Sequence, residues 1–425
     1  MSTRNPAAPG PPAAPPWSPW RVVLSFGLVS LAVDMVSDGA RSISGPLLGE
    51  LGASALVVGL VTGSSEAIAL AFRLVSGPWA DRTSRYWTFT IFGYALTAIC
   101  VPLLAIAPFV GGVGLVLASA LILAERTGKA VRSPAKTVLL ANAAGAVGRG
   151  RGFAVHKSLD QLGALLGPLF VSAVIAATTV IWPALALLAI PGAFALALLV
   201  WMRKRVPDMS VYESTRDRAP QPDAQAADPS DPASTPAPTD APPRLPRAFY
   251  LFAAAACAST VGLVSFGVIS FHLTDAGMVS LAVVPLFFAG AMGAAALSAL
   301  ASGYVYDKQG AAVLLVLPLM IAFIPGLALS NQLGAVVVGM LLWGMAVGIQ
   351  DSTVKALVAD LVPSGRRGTA YGTFAAIEGV AALAGGALAG ALYGDVAALV
   401  AIVAALQAVA FMLLVVTIRM QRRPA

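Results

Sequence analysis

Apolar runs of about twenty residues or more, each ended by a short polar turn, follow one another along most of this chain. A run of that length crosses about 30 Å of hydrocarbon as a helix. Twelve such spans are predicted, at about 22–44, 54–76, 87–108, 112–142, 152–178, 180–202, 248–271, 278–302, 311–331, 333–361, 368–392 and 395–418. The pattern lapses at both ends and once in the middle. Residues 1–19 are a Pro/Ala-rich polar arm expected to be disordered, and 421–425 are a short tail. Residues 203–247 carry a basic triplet and then a Pro-, Asp- and Ala-rich run, which reads as a disordered linker between six-span halves at 20–202 and 248–420. A regulatory docking segment is the other reading of that linker.

With 58% hydrophobic and 11% charged residues, the chain is too apolar to keep its surface in water, so an all-α integral membrane protein is expected. The bases fall in alternate turns: Arg82 and Arg85 after the second span, Arg149 and Arg151 after the fourth, Arg203, Lys204 and Arg205 after the sixth. Lys308, Arg366 with Arg367, and Arg419 continue the alternation, while the opposite turns hold almost no Lys or Arg beyond Arg41. By the positive-inside rule both termini are expected in the cytoplasm of a cell-membrane protein. The net charge of +7 is then a matter of topology and gives no reason to expect nucleic acid. No cleavable signal is evident, and the first span is expected to serve as the insertion signal. Cys100 and Cys257 both lie within spans, where packing is expected and a disulfide is not.

The halves repeat one another. Gly77-Pro78-Trp79-Ala80-Asp81-Arg82 with Arg85 is echoed about 226 residues later by Gly303-Tyr304-Val305-Tyr306-Asp307-Lys308, each after the second span of its half. At an offset of 216, Gly128, Thr137, Arg151, Gly152 and Gly163 meet Gly344, Thr353, Arg367, Gly368 and Gly379. Several matches at one offset point to a duplicated six-helix unit, an architecture used by transporters.

The Gly-x-x-x-Asp-Arg signature and the layout of six helices, long loop and six helices resemble the major facilitator superfamily over nearly all of residues 20–420. Ser84 stands where that signature usually has glycine, and Lys308 where the second copy would have arginine. The resemblance implies two pseudo-symmetric bundles that rock about a central cargo site, a monomer, and peripheral third helices in each triplet. It implies a gate at Gly77, Asp81, Arg82, Arg85, Asp307 and Lys308. Gly163, Gly167 and Pro168 look like part of a motif of proton-driven drug exporters, although Phe170 and Val171 replace its glycine pair. The stretch Asp34 to Arg41, with Gly128 to Arg132 and Arg151 to Pro168, is similar to a bacterial branch of facilitator permeases.

Ionisable groups at bilayer depth cost at least about 2.5–3.5 kcal/mol each and mark cavities. They occur within spans one, two, four, five, ten and eleven, and are missing from the interiors of the other six. Asp34, Asp38 and Arg41 share one helix face, and Glu66 lies at similar depth in the second span. Burial disfavours the charged form of a carboxylate, so Asp34, Asp38 and Glu66 are candidates for proton coupling; an Arg41–Asp38 structural pair is the plainer reading. Arg41, Glu125, Arg126, Lys129, Arg132, Lys157 and Asp160 are candidates for holding cargo, with Glu125, Lys129 and Arg132 on one face and Pro134 expected to bend the helix beyond them. His156 can pair with Asp160 at i,i+4. The competing reading is a neutral network, Glu125 with Lys129 and Lys157 with Asp160. In the duplicate, Glu125, Lys129, Arg132 and Asp160 fall on Leu341, Met345, Gly348 and Ala376, so the charge belongs to one half. Asp351, Lys355 and Glu378 are expected to close the cytoplasmic side.

No Gly-x-x-x-x-Gly-Lys-Ser/Thr run is present, two His and two Cys give no metal-ligand pattern, and no nucleophile–base constellation stands out. No cofactor, metal or enzymatic activity is expected. The expectation is a secondary transporter working by alternating access with a small-molecule substrate and protons, export of a drug-like compound or metabolite first and uptake of an organic anion second. A lipid flippase or a sensor on the same scaffold is the third possibility.

Overall fold

The computed structural model describes residues 17–212, 245–362 and 367–421. Expectations placed on 1–16, 213–244, 422–425 and Arg366 lie outside the described residues, as does the side chain of Lys355. The described chain is helical with no strand: α1 (Pro19–Glu50), α2 (Ala55–Thr83), α3 (Tyr86–Leu103), α4 (Gly114–Val147), α5 (Arg149–Thr178), α6 (Trp182–Leu187 continued by Ala189–Arg205) and α7 (Arg247–Gly262 continued by Phe266–Asp275). There follow α8 (Val284–Gln309), α9 (Val316–Ala328), α10 (Leu333–Ile349, a π turn at Gln350–Val354, then Lys355–Leu361), α11 (Arg367–Ala391) and α12 (Val396–Gln421). Among the described residues, eleven continuous helical stretches are long and apolar enough to cross a membrane, with Val284–Ala328 taken as one stretch of 45 residues. That stretch is two crossings. At Gly310 the backbone has φ +66, a conformation open chiefly to glycine, and the chain reverses. Thereafter α8 lies parallel to α10, with Gly344 and Gly348 seated on the Ala291 and Ala295 carbonyls, while the end of α9 at Ala328 meets Gly339 near the start of α10. The chain is thus a multi-pass membrane protein of twelve crossings.

Several helix starts follow directly from the sequence. Ser18 and Ser54 cap α1 and α2 by accepting from the backbone N–H groups of Arg21 and Val57 at 3.3 and 3.4 Å, and Ser265 does the same for Val268 at 3.4 Å after the break in α7. Helices also run beyond the apolar runs. Gly77 to Thr83 are the last turns of α2, and Gly303 to Gln309 the last of α8, so both copies of the loop signature sit on helix ends. The turn itself is confined to Ser84, which takes a left-handed φ of 51°, a conformation that glycine adopts with less strain than serine. α4 continues unbroken through Pro134. Part of the expected linker packs: Val206, Met209 and Tyr212 are buried with Trp17, and the Tyr212 hydroxyl donates to the Trp17 carbonyl at 2.8 Å.

Within the first half, Gly163 and Gly167 of α5 fit against the backbone of α1 at Leu31 and Met35, which gives the exporter-like motif a packing job. Between halves, α2 and α11 cross with Gly59 against Gly386, Gly63 against Ala382 and Gly390 against Ala55. At the same end Gly45 of α1 meets Gly267 of α7, and Thr62 and Ser265 hydroxyls pair at 2.9 Å. The end that carries the α1–α2 turn is therefore shut. A neighbouring polar knot ties the loops of the second half: His272 Nε2 donates to the Ser330 carbonyl at 3.1 Å, and the Tyr393 hydroxyl, 3.0 Å from His272 Nδ1, donates to Asp275 at 2.9 Å.

Candidate functional site

A cavity of about 510 Å³ opens between the halves. α1 brings Asp34, Ser37 and Arg41 to it, α2 brings Thr62, Ser65, Glu66 and Arg73, α4 brings Glu125 to Lys136, and α5 brings Lys157 and Asp160. The facing wall comes from α7, α10 and α11: Thr260 to Gly267, Trp343, Val347, Gln350, Asp351, Glu378 and Ala382. α8 contributes nothing to this lining, and α3, expected at the periphery, contributes Val101, with Leu104 just beyond its end.

Helix crossings decide the pairings. Arg41 reaches across to Glu66 on α2 at 2.8 Å, so the alternative of an Arg41–Asp38 structural pair does not form. The spacing along α1 was compatible with either, and the neighbouring helix offered the closer carboxylate. Asp38 is buried and outside the cavity lining. Glu125 pairs with the adjacent Arg126 at 3.4 Å and accepts from Ser37 at 2.8 Å and Thr97 at 3.3 Å; the Lys129 partner of the competing reading is not used. Arg126 also stands 4.0 Å from Glu66. Arg132 donates to Thr97 at 2.6 Å, lies over the Tyr94 ring at 4.7 Å and approaches Asp34 at 3.9 Å. Asp160 pairs with Lys157 at 2.7 Å and accepts from Ser30 at 2.9 Å, to which Lys136 donates at 3.1 Å. His156 does not take the Asp160 partner expected for it: it is buried with Nε2 unpartnered among the described residues. Asp34 and Asp160 lie within hydrogen-bonding reach of each other, from α1 and α5.

Arg73 and Lys136 line the cavity although the sequence reading passed over both. Each lies near the arginine-rich end, where a base is easily taken for topology, yet Arg73 falls two turns from Glu66 and Lys136 one turn from Arg132 on faces already marked as functional. The gate candidates divide. Asp81, Arg82 and Arg85 are exposed at the open end, Asp81 accepting from Tyr86 of its own half at 3.1 Å, and Gly77 faces Pro134 with room for a Cβ. Asp307 and Lys308 are exposed too, Lys308 over the Tyr304 ring at 4.2 Å. Asp351 and Glu378 instead face the cavity.

Glu125 is 5% exposed and holds three partners, so Glu125→Gln leaves the Arg126 guanidinium short of an anion in a buried place. A loss of about 3–5 kcal/mol follows for a broken buried pair. Thermal unfolding of the purified variant in detergent should fall well below that of the parent; an unchanged midpoint would show that water already screens this pair.

Two helical bundles around a charged central cavity, closed at one end, define a multi-pass membrane protein of the transporter class. The family model described as Major Facilitator Superfamily matches residues 25–385, and the chain belongs to that superfamily. An uncharacterized protein of Mycobacterium tuberculosis is 48% identical over 402 residues, 94% of this chain and 93% of that protein, and one of Mycobacterium bovis matches to the same extent. Among solved structures, a mutant of the nucleoside transporter NupG superposes with a TM-score of 0.71 at 13% identity, covering 93% of this chain and 99% of that one. A D-xylose–proton symporter gives 0.62 at 12% identity, over 93% and 97%. A bacterial homologue of the human lysosomal transporter Spinster, inward-facing and occupied, gives 0.60 at 14%, over 95% and 96%. These likenesses are of fold.

Proposed function

We propose that this protein is a secondary transporter that moves a small organic anion across the cell membrane by alternating access, in a cycle linked to protons. The observation that carries the proposal is a cavity between the halves whose lining holds Arg73, Lys129, Arg132 and Lys136 together with the neighbouring carboxyls Asp34 and Asp160. Two carboxyls within hydrogen-bonding reach hold one proton between them, and a proton held beside a cluster of bases leaves readily when an anion is not there to balance those bases. Of the two cargo expectations the organic anion is favoured, because a lipophilic drug or a lipid tail would have to replace the hydration of these side chains with nothing. The positive-inside rule turns the open end toward the cytoplasm and keeps both termini there. Rocking of the halves would close the arginine-rich end and part the glycine seam at the other. The exposed Asp81, Arg82, Arg85, Asp307 and Lys308 are then gate groups seen in their released state.

The test uses purified protein in liposomes loaded with a pH-sensitive dye and challenged with organic acids, cationic drugs and sugars. Proton flux elicited by acids alone is the expected result. Flux elicited by cationic drugs instead would refute the cargo assignment, and its absence with every compound would refute proton linkage.

A further inference from the structure

The cavity changes character along its depth. Its shut end is walled by Val101 and Leu104, by Ile122 of α4, and across the seam by Val264, Phe266 and Trp343. The Trp343 indole donates to the Val264 carbonyl at 2.8 Å, which uses its one polar atom, and its ring lies 5.7 Å from that of Phe266, which meets Phe288 edge-on at 4.7 Å. The Arg41–Glu66 pair, closed on itself at 2.8 Å, borders this chamber. Toward the open mouth come the bases that make no ion pair among the described residues: Lys129, Lys136 and Arg73, whose Nε is buried without a hydrogen-bond partner. A buried donor without an acceptor is destabilising until something supplies one.

We propose that the cargo is an amphipathic organic monoanion that enters apolar end first, its body in the chamber of Ile122, Val264, Phe266 and Trp343 and its carboxylate on Lys129 and Arg73. This rests on the transport reading above and narrows it. A polycarboxylate would set surplus charge against the apolar wall, and a neutral amphiphile would leave the bases unanswered. The 510 Å³ of space falls within the range of small-molecule sites, about 300–1,000 Å³.

The experiment is binding to the full chain in lipid nanodiscs, read by tryptophan fluorescence and by thermal shift, with phenylbutyrate, citrate and phenylbutanol as probes. Phenylbutyrate should bind at least about tenfold more tightly than either of the others. Lys129→Gln should bring phenylbutyrate down to the level of phenylbutanol, and Ile122→Asn should bring it down to that of citrate, with Ile122→Val and Lys129→Arg retaining binding and each variant checked for cooperative unfolding. Citrate binding as well as phenylbutyrate would overturn the amphipathic cargo while leaving anion transport standing. Phenylbutanol binding as well as phenylbutyrate would remove the bases from recognition. If no anion binds to folded protein, both this inference and the transport reading fall.

Discussion

Asp34→Asn is expected to abolish cargo movement driven by a pH gradient while leaving exchange of cargo against cargo at equal pH. Asn fills nearly the same volume and can still hydrogen-bond Asp160, which lies within reach across the α1–α5 contact, so the fold should survive. It cannot take up or give back a proton. A fall of about a hundredfold or more in gradient-driven rate is the scale at which loss of a positioned proton-transfer group is felt. Asp160→Asn should produce the same phenotype, and the double variant should be little worse than either, because one proton belongs to the pair. Arg132, 3.9 Å from Asp34, and Lys157, 2.7 Å from Asp160, would then face a neutral partner. The check is dye-reported proton flux beside counterflow of labelled cargo in the same liposomes. Retention of gradient-driven transport in both single variants would place the proton elsewhere.

Gly59→Val is expected to hold the shut end of the protein open. A Cβ at Gly59 runs into the Gly386 carbonyl, and the crossing is just as close from the other side. Backbone cannot retreat as a flexible side chain can, so overpacking of about 1–3 kcal/mol or more falls on this state alone. Such a bias moves the balance of states by about tenfold or more. Ser44, which lines the cavity near the seam, should as Ser44→Cys in a protein without Cys100 and Cys257 react faster with a membrane-impermeant thiol reagent added on the side of the α1–α2 turn. Transport should slow correspondingly. Gly290→Val is the control, since a Cβ there meets nothing within 4 Å. Equal labelling in both variants would mean that the α2–α11 seam does not gate access.

Apolar length made the crossings legible before any coordinates, and ionisable residues inside spans led directly to the cavity. Asp34, Arg41, Glu66, Lys129, Arg132 and Asp160 all line it. Partner choice was not legible. Spacing along one helix says which residues share a face, whereas the Arg41–Glu66 and Glu125–Ser37 contacts depend on how α1 crosses α2 and α4. Arg73 and Lys136 were hidden because the same residue types mark the cytoplasmic border. The apolar chamber left no trace in the sequence, for Ile122 and Trp343 look like any other core residue until the halves face one another. The buried cluster of Val206, Met209 and Tyr212 had a readable signal, apolar residues at every third position, in a stretch whose composition pointed to disorder.

Gly310 also settles a question of parity. An odd number of crossings leaves the two ends of a chain on opposite faces of a bilayer, and an even number leaves them on the same face. Taking α8 and α9 as one continuous helical stretch would give eleven. One residue able to adopt φ +66 divides that stretch, so a reporter fused after α12 and another placed before α1 belong in the same compartment.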